Sequence, residues 1–257
     1  MSRVIAVANQ KGGVGKTTTS INLAASLGRS GKRILLVDLD PQGNATMGSG
    51  VAGREGGSVY EVLMGEATVA DAAVALAHGY DLLPGDDDLA GAELELISLD
   101  RRERRLGEAL AAVADRYDYV YIDCPPALNL LTVNALVAAD AVMIPMQCEY
   151  YALEGLTALL ATVRRVREGL NPALTIEGLL RTMFDARNGL AIEVSEQLSR
   201  HFGNKLFQTI IPRNVRLAEA PSYGKPVVDY DRASKGAQAY LALAEEVLAR
   251  NRPETSS

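Results

Sequence analysis

Residues 11–18 read Lys-Gly-Gly-Val-Gly-Lys-Thr-Thr. They follow the apolar run Val4-Ile5-Ala6-Val7-Ala8 and precede a helical pattern, Ser20-Ile21-Asn22-Leu23-Ala24-Ala25-Ser26-Leu27. Strand, glycine loop, helix is the context that a phosphate cradle needs. Glycines let backbone N–H groups converge on phosphate oxygens without Cβ obstruction. The helix N-terminus adds a partial positive charge of about 0.5 e. In such a cradle Lys16 reaches the terminal phosphates and the Thr17 hydroxyl holds Mg²⁺. Gly12, Gly13, Val14, Gly15 and Thr18 complete the loop.

The loop departs from the common pattern G-x-x-x-x-G-K-[ST]. Gln10 stands where the first glycine belongs, and Lys11 follows it. A second lysine beside Lys16 costs self-repulsion and calls for compensating negative charge. The nucleotide of the same subunit could supply it, or that of a partner.

The rest of the chain agrees with an α/β reading. Its 257 residues are 48% hydrophobic, with no Trp and three Phe, so the core is mostly Ala, Leu, Val and Ile. Further strands are expected at Ile34–Val37, Tyr80–Leu83, Tyr119–Ile122, Ala141–Ile144, Ile176–Leu180 and Phe207–Ile211. Those at Tyr80, Tyr119, Ala141 and Phe207 are each closed by proline, at Pro84, Pro125-Pro126, Pro145 and Pro212. Near-continuous apolar strands alternating with helices imply a mostly parallel central sheet with helices on both faces. Gly31 is placed to cap the first helix. Gly48–Gly57 reads as a loop. A final helix, Ala237–Arg250, turns Tyr240, Leu241, Ala244, Val247 and Leu248 to one side. One domain over 1–250 and a frayed tail over 251–257 are the expectation.

No apolar run has the length of a membrane span. The start, Met1-Ser2-Arg3-Val4, leaves no room for a signal peptide before the first strand, so a cytoplasmic location is expected. Cys124 and Cys148 lie 24 residues apart without a Cys/His cluster, and read as buried, reduced thiols. Asp86-Asp87-Asp88 and Arg101–Arg105 flank an apolar segment and read as solvated helix ends. The net charge of −6 argues against nucleic-acid binding by the whole surface. Its distribution is uneven: residues 1–180 carry 15 Lys and Arg against 23 Asp and Glu, whereas residues 181–236 carry nine against six. A locally basic face on an acidic protein fits these numbers.

Two acidic strand ends complete the chemistry. The second strand runs into Val37-Asp38-Leu39-Asp40-Pro41. Asp38 and Asp40 share a parity, so both face one side if strand geometry persists. They sit at the C-terminal edge of the sheet, where parallel sheets place ligands. Two carboxylates there would repel a triphosphate unless they act on Mg²⁺ waters or on the attacking water. Ile122-Asp123 ends another buried strand in the Walker-B pattern, with Asp123 holding Mg²⁺ through a water.

Five stretches together resemble the ParA/Soj chromosome-partitioning ATPases of the deviant Walker A group, which also contains MinD. They are N-Q-K-G-G-V-G-K-T-T, L-L-V-D-L-D-P-Q-G-N-A-T, Y-I-D-C-P-P, P-M-Q-C-E-Y-Y-A-L-E-G-L and I-P-R-N-V-R-L-A-E-A-P-S. The resemblance implies a P-loop ATPase of the short form, using ATP and Mg²⁺. It implies that Lys11 is a signature lysine crossing to the other subunit's nucleotide in a sandwich homodimer, with Gly12 at the seam. Asp40 would activate water, with Asp38 near Mg²⁺, and Pro212 and Asn214 would contact adenine. The ATP dimer would bind double-stranded DNA without sequence preference on the nucleoid, and a ParB-like centromere-binding protein would stimulate hydrolysis. Arg187, Arg213, Arg216, Lys225, Arg232 and Lys235 are the candidate DNA contacts.

Two other readings are weaker. A MinD-like membrane ATPase needs a basic amphipathic C-terminal helix, whereas this chain ends with Glu245, Glu246, Pro253 and Glu254. An iron protein with this loop needs cysteines at the dimer seam, and Cys124 directly follows a buried strand.

Overall fold

The computed structural model describes residues 2–52, 56–150 and 152–251. Eight strands form one sheet: β1 (Arg3–Val7), β2 (Ile34–Asp38), β3 (Val74–Ala75), β4 (Asp81–Leu83), β5 (Tyr119–Asp123), β6 (Ala141–Gln147), β7 (Thr175–Phe184) and β8 (Leu206–Pro212). Their spatial order is β3-β4-β2-β5-β1-β6-β7-β8. All neighbours pair parallel except β3, which runs antiparallel to β4.

Side-chain alternation along the strands divides the core into two layers. Ile5, Val7, Leu36 and Tyr121 face the first helix, Lys16–Arg29, and the last, Lys235–Arg250, meeting Leu23, Leu27, Tyr240 and Leu243. Ala6, Leu35, Val37 and Ile122 face the other way, onto Leu63, Leu131 and Leu159 of helices Val59–Met64, Leu130–Ala138 and Ala152–Gly169. Both faces of the parallel strands are thus covered, which is why the strands read as continuous apolar runs.

The expected elements are all present, with boundaries shifted for physical reasons. The Ala141 strand passes through Pro145 rather than stopping there. Met143 O, two residues earlier and on the same side, accepts from Ala8 N–H (3.1 Å), but β1 has already ended at Val7. The N–H that Pro145 lacks therefore falls where no neighbouring strand needs it. The two-residue β3 carries too little pattern to be seen in the sequence. Gly48 belongs to a short helix, Asn44–Gly48, and the remainder of the expected Gly48–Gly57 loop is described except for residues 53–55. The first helix ends at Arg29 with Gly31 at φ +79°, as a cap requires. Of the expected tail only Asn251 is described, and residues 252–257 lie outside the described residues. Asp88 precedes helix Leu89–Ile97, and Arg104 precedes helix Arg105–Ala111, so both charged runs do stand at helix ends.

Candidate nucleotide-binding and hydrolysis site

The sheet register brings the site together. Val7 and Asp38 both pair with Asp123, so β1, β2 and β5 end at one level of the C-terminal edge. The loop after β1 rises from that edge into the first helix.

Loop geometry follows from its glycines and from its neighbours. Gly13 and Gly15 adopt φ of +72° and +87°, a left-handed backbone that side chains disfavour. A Cβ at Gly12 or Gly13 would meet nothing within 4 Å, so this part of the loop faces open space. Loop carbonyls are held from below: Gln147 Nε2 donates to Gly13 O (3.2 Å), and Thr182 Oγ1 donates to Val14 O (2.7 Å). The first intrahelical bond runs from Thr19 N–H to Gly15 O (2.9 Å). The N–H groups of Lys16, Thr17 and Thr18 therefore have no intrahelical acceptor and remain for an anion.

Two adjoining cavities meet at this loop. One of about 460 Å³ is lined by Gly12, Gly13, Lys16, Thr17, Asp40, Gln42 and others. The second, about 230 Å³, is lined by Pro212, Arg213, Asn214, Leu217 and Tyr240. Gly15, Thr18 and Met183 line both. A phosphate chain and a flat base suit a chamber lined by Lys16, Thr17 and Asp40 beside a more apolar one. Pro212 and Asn214 are thus brought to the smaller cavity, as the adenine expectation requires. Asn214 Oδ1 already accepts from Arg216 N–H (3.0 Å) as a helix cap, which leaves its NH₂ group to meet a ring acceptor.

Charge is concentrated beneath the larger cavity. Lys16 is buried at 7% exposure; burial lowers its pKa, while Asp123, Cys124 and Asp40 act to raise it. Asp123 is fully buried and accepts from Thr17 Oγ1 (2.7 Å) and Ser20 Oγ (2.9 Å). Burial, then the neighbouring Asp38, raises the Asp123 carboxyl well above the carboxylate range. Burial likewise raises Asp38, against the hydrogen bonds it receives. Two buried carboxylates behind a threonine hydroxyl form a donor set that suits a hard divalent cation bound through water. Among the described residues no cluster of three or more His, Cys, Asp or Glu could hold a metal by itself. This fits Mg²⁺, which keeps several waters and shares its ligands with phosphate oxygens.

The strand geometry on which the parity expectation for Asp38 and Asp40 rests ends at Asp38. β2 stops at Asp38, and the chain turns: Asp40 N–H donates to Asp38 Oδ1 (3.3 Å). Asp38 Oδ2 accepts from Thr46 N–H (2.8 Å) and Thr46 Oγ1 (2.7 Å). Asp38 does not line the larger cavity, and Asp40 does. Asp38 ties the Asp40–Thr46 loop to the sheet. The backbone of Gly85 presses against it so closely that a Cβ there would lie 2.4 Å from Asp38 O.

Lys11 also departs from the loop's interior. Its N–H donates to Asn9 Oδ1 (3.0 Å), and its ammonium pairs with Glu149 at half-exposed positions. Lys11 does not line either cavity. The six candidate DNA contacts separate too. Arg187 pairs with Asp185, and Arg216 with Glu219 and Asp231. Lys225 lines the larger cavity, and Arg213 the smaller one. Arg232 and Lys235 are exposed and carry no ion pair among the described residues.

Gln147, Thr182, Met183 and Glu149 have no role legible in their local sequence pattern. Gln147 and Glu149 lie in the quoted P-M-Q-C-E stretch, which was the one available signal. Met183 adopts φ +48° and accepts from Gln147 Nε2 through its sulfur (2.7 Å). A non-glycine residue in that region marks a locally constrained site. Cys124 and Cys148 are free and buried, as expected, and burial raises both thiol pKa values. No helix among the described residues is long and apolar enough to cross a membrane.

Comparison with known proteins extends this picture. A family model described as an AAA domain matches residues 2–176. The chromosome partitioning protein ParA of Caulobacter vibrioides is 55% identical over 254 residues, covering 97% of this chain and 95% of its own. The sporulation initiation inhibitor protein Soj of Bacillus subtilis is 56% identical over 251 residues, covering 97% and 99%. Among solved structures, cobyrinic acid a,c-diamide synthase from Mycobacterium smegmatis with bound ADP and magnesium has a TM-score of 0.85 at 40% identity, over 97% of this chain and 95% of that one. The cell division ATPase MinD of Pyrococcus furiosus has a TM-score of 0.81 at 28% identity, over 97% and 100%. By fold, by loop chemistry and by identity along nearly its whole length, the chain belongs to the ParA/Soj family of chromosome-partitioning ATPases.

Proposed function

We propose that this ATPase is a nucleotide-gated switch that binds DNA only as an ATP dimer. Residues 1–250 act as one ATPase domain. ATP lies with its base in the smaller cavity and its phosphates over the loop, where Gly12–Thr18 and Lys16 hold them. Thr17, and Asp123 through water, hold Mg²⁺, which neutralises charge on the phosphate oxygens. Asp40 orients the attacking water, and Asp38 fixes the loop that carries Asp40.

The observation that carries this reading is the position of Lys11. It opens the loop yet lies outside the cavity that Lys16 enters, on a half-exposed surface. A lysine held there serves a nucleotide other than its own. Two copies facing each other would exchange Lys11 for Glu149 contacts and set both nucleotides in the seam. The pairing would place Arg213, Arg232 and Lys235 of both copies on one assembly, doubling a cationic surface that a monomer offers only in part. Arg187 and Arg216, each held by its own carboxylates, contribute less. A ParB-like protein at centromere-like sites would stimulate hydrolysis, and ADP would release the protein from the nucleoid in the cytoplasm. The fold and loop also serve the diamide synthase, so fold alone does not choose a function. The higher identity to ParA and Soj favours partitioning.

The test is retention of duplex DNA with ATP, with ADP and without nucleotide, across a salt series. Retention is expected with ATP alone. If about six phosphates are neutralised, log K falls against log salt with a slope of roughly −5. Equal retention in all three states would contradict the proposal.

A further inference from the structure

Lys225 reads in the sequence as one of six surface cations, but the fold puts it elsewhere. It lines the 460 Å³ phosphate cavity together with Lys16, Asp40, Gln42 and Asn44. Lys11 does not line that cavity, so Lys16 and Lys225 are its two lysines.

The backbone that carries Lys225 is fixed to the phosphate loop's own helix. Val227 N–H donates to Asn22 Oδ1 (2.6 Å), and Asn22 Nδ2 donates to Thr18 O (2.7 Å). Pro226 and Val227 are buried. On the other side, Gly224 passes so close to Gly50 that a Cβ would lie 2.5 Å from Gly50 Cα. The Lys225 side chain, by contrast, is exposed and makes no hydrogen bond or ion pair among the described residues. A segment held on both sides thus presents an exposed ammonium at the rim of an anion-binding chamber.

Its place along the chamber is also defined. Met183 borders the base cavity and marks one end. Asp40, Gln42 and Asn44 mark the other. Pro221, four residues before Lys225, joins Gln42 in lining a neighbouring cavity beyond that second end. Helix Asn44–Gly48 packs on the same segment: a Cβ at Gly48 would lie 3.5 Å from Pro221 Cβ. Lys225 therefore belongs to the end where hydrolysis would occur.

We propose that Lys225 is a second phosphate-binding lysine acting within its own subunit, which contacts the terminal phosphate of ATP and so separates ATP from ADP. The assignment rests on the proposed nucleotide site, and does not depend on DNA binding or on a partner. An ammonium–phosphate contact is a charge-assisted hydrogen bond, which a neutral side chain cannot replace.

The experiment compares the full chain with Lys225→Met and Lys225→Arg by calorimetric titration, using a non-hydrolysable ATP analogue and ADP without DNA. Binding by the parent tests the nucleotide site itself. The variants test Lys225. Lys225→Met should weaken the ATP analogue about tenfold or more while ADP stays within about twofold, as expected for one charged hydrogen bond. Lys225→Arg should recover most of the loss. Repeating the comparison in Lys11→Ala protein removes any contribution from a second copy. An unchanged melting transition without nucleotide confirms that Lys225→Met folds. If Lys225→Met binds the ATP analogue within about twofold of the parent, or loses both nucleotides equally, the proposal is overturned.

Discussion

Replacing Lys16 by alanine should abolish ATP binding. Lys16 is a buried residue, at 7% exposure, that lines the larger cavity with Asp123 and Asp40 as charged neighbours. Its charge is held in a setting where water screens it poorly, so an incoming phosphate meets a strong field. Removing it does more than delete one contact. The Asp123 and Asp38 carboxylates are both buried and already resist ionisation. Without Lys16, Asp123 loses the neighbouring cation that favours its ionised form. Loss of one member of a buried charge pair typically costs about 3–5 kcal/mol, which corresponds to more than a hundredfold in affinity. Titration with a fluorescent ATP analogue measures it. Affinity within tenfold of the parent would mean that the phosphates lie elsewhere.

Asp40→Ala should act at a later step. Asp40 lines the cavity, and its Oδ1 is steadied by the N–H of Gln42 (3.1 Å). The loop beneath it is pinned by Asp38 and Thr46, so truncating Asp40 leaves the scaffold in place. ATP affinity should be kept or improved, because a carboxylate near the phosphates disappears. Hydrolysis should fall by about 10²–10⁴, the usual contribution of a positioned general base. The protein should then accumulate as an ATP dimer that stays on DNA. Phosphate release and DNA dissociation rates measure the two effects, and a variant that hydrolyses ATP at the parental rate would remove Asp40 from that role.

Much of this site was legible in the sequence because its parts are local. Three glycines, Lys16 and Thr17 sit within one loop, and their spacing carries the geometry. The strands were legible because parallel strands buried on both faces read as unbroken apolar runs. Reading failed where the answer depended on neighbours distant in the chain. Pro145 continues a strand only because β1 has ended beside it. The parity of Asp38 and Asp40 held no meaning once β2 stopped at Asp38 and Thr46 captured its carboxylate. The pairing of Lys11 with Glu149 spans 138 residues. Lys225 reads as one more basic residue until the Asn22–Val227 bond folds its segment over the phosphate loop. Arg187 and Arg216 look like free cations until their carboxylate partners appear.

The most direct test of the account is the mass of the full chain in solution, saturated with a non-hydrolysable ATP analogue, beside that of Lys11→Ala. Light scattering should report two copies for the parent and one for the variant, with nucleotide bound in both. A parent that stays single when saturated, or a Lys11→Ala protein that pairs equally well, would contradict the claim that Lys11 serves the nucleotide of another subunit.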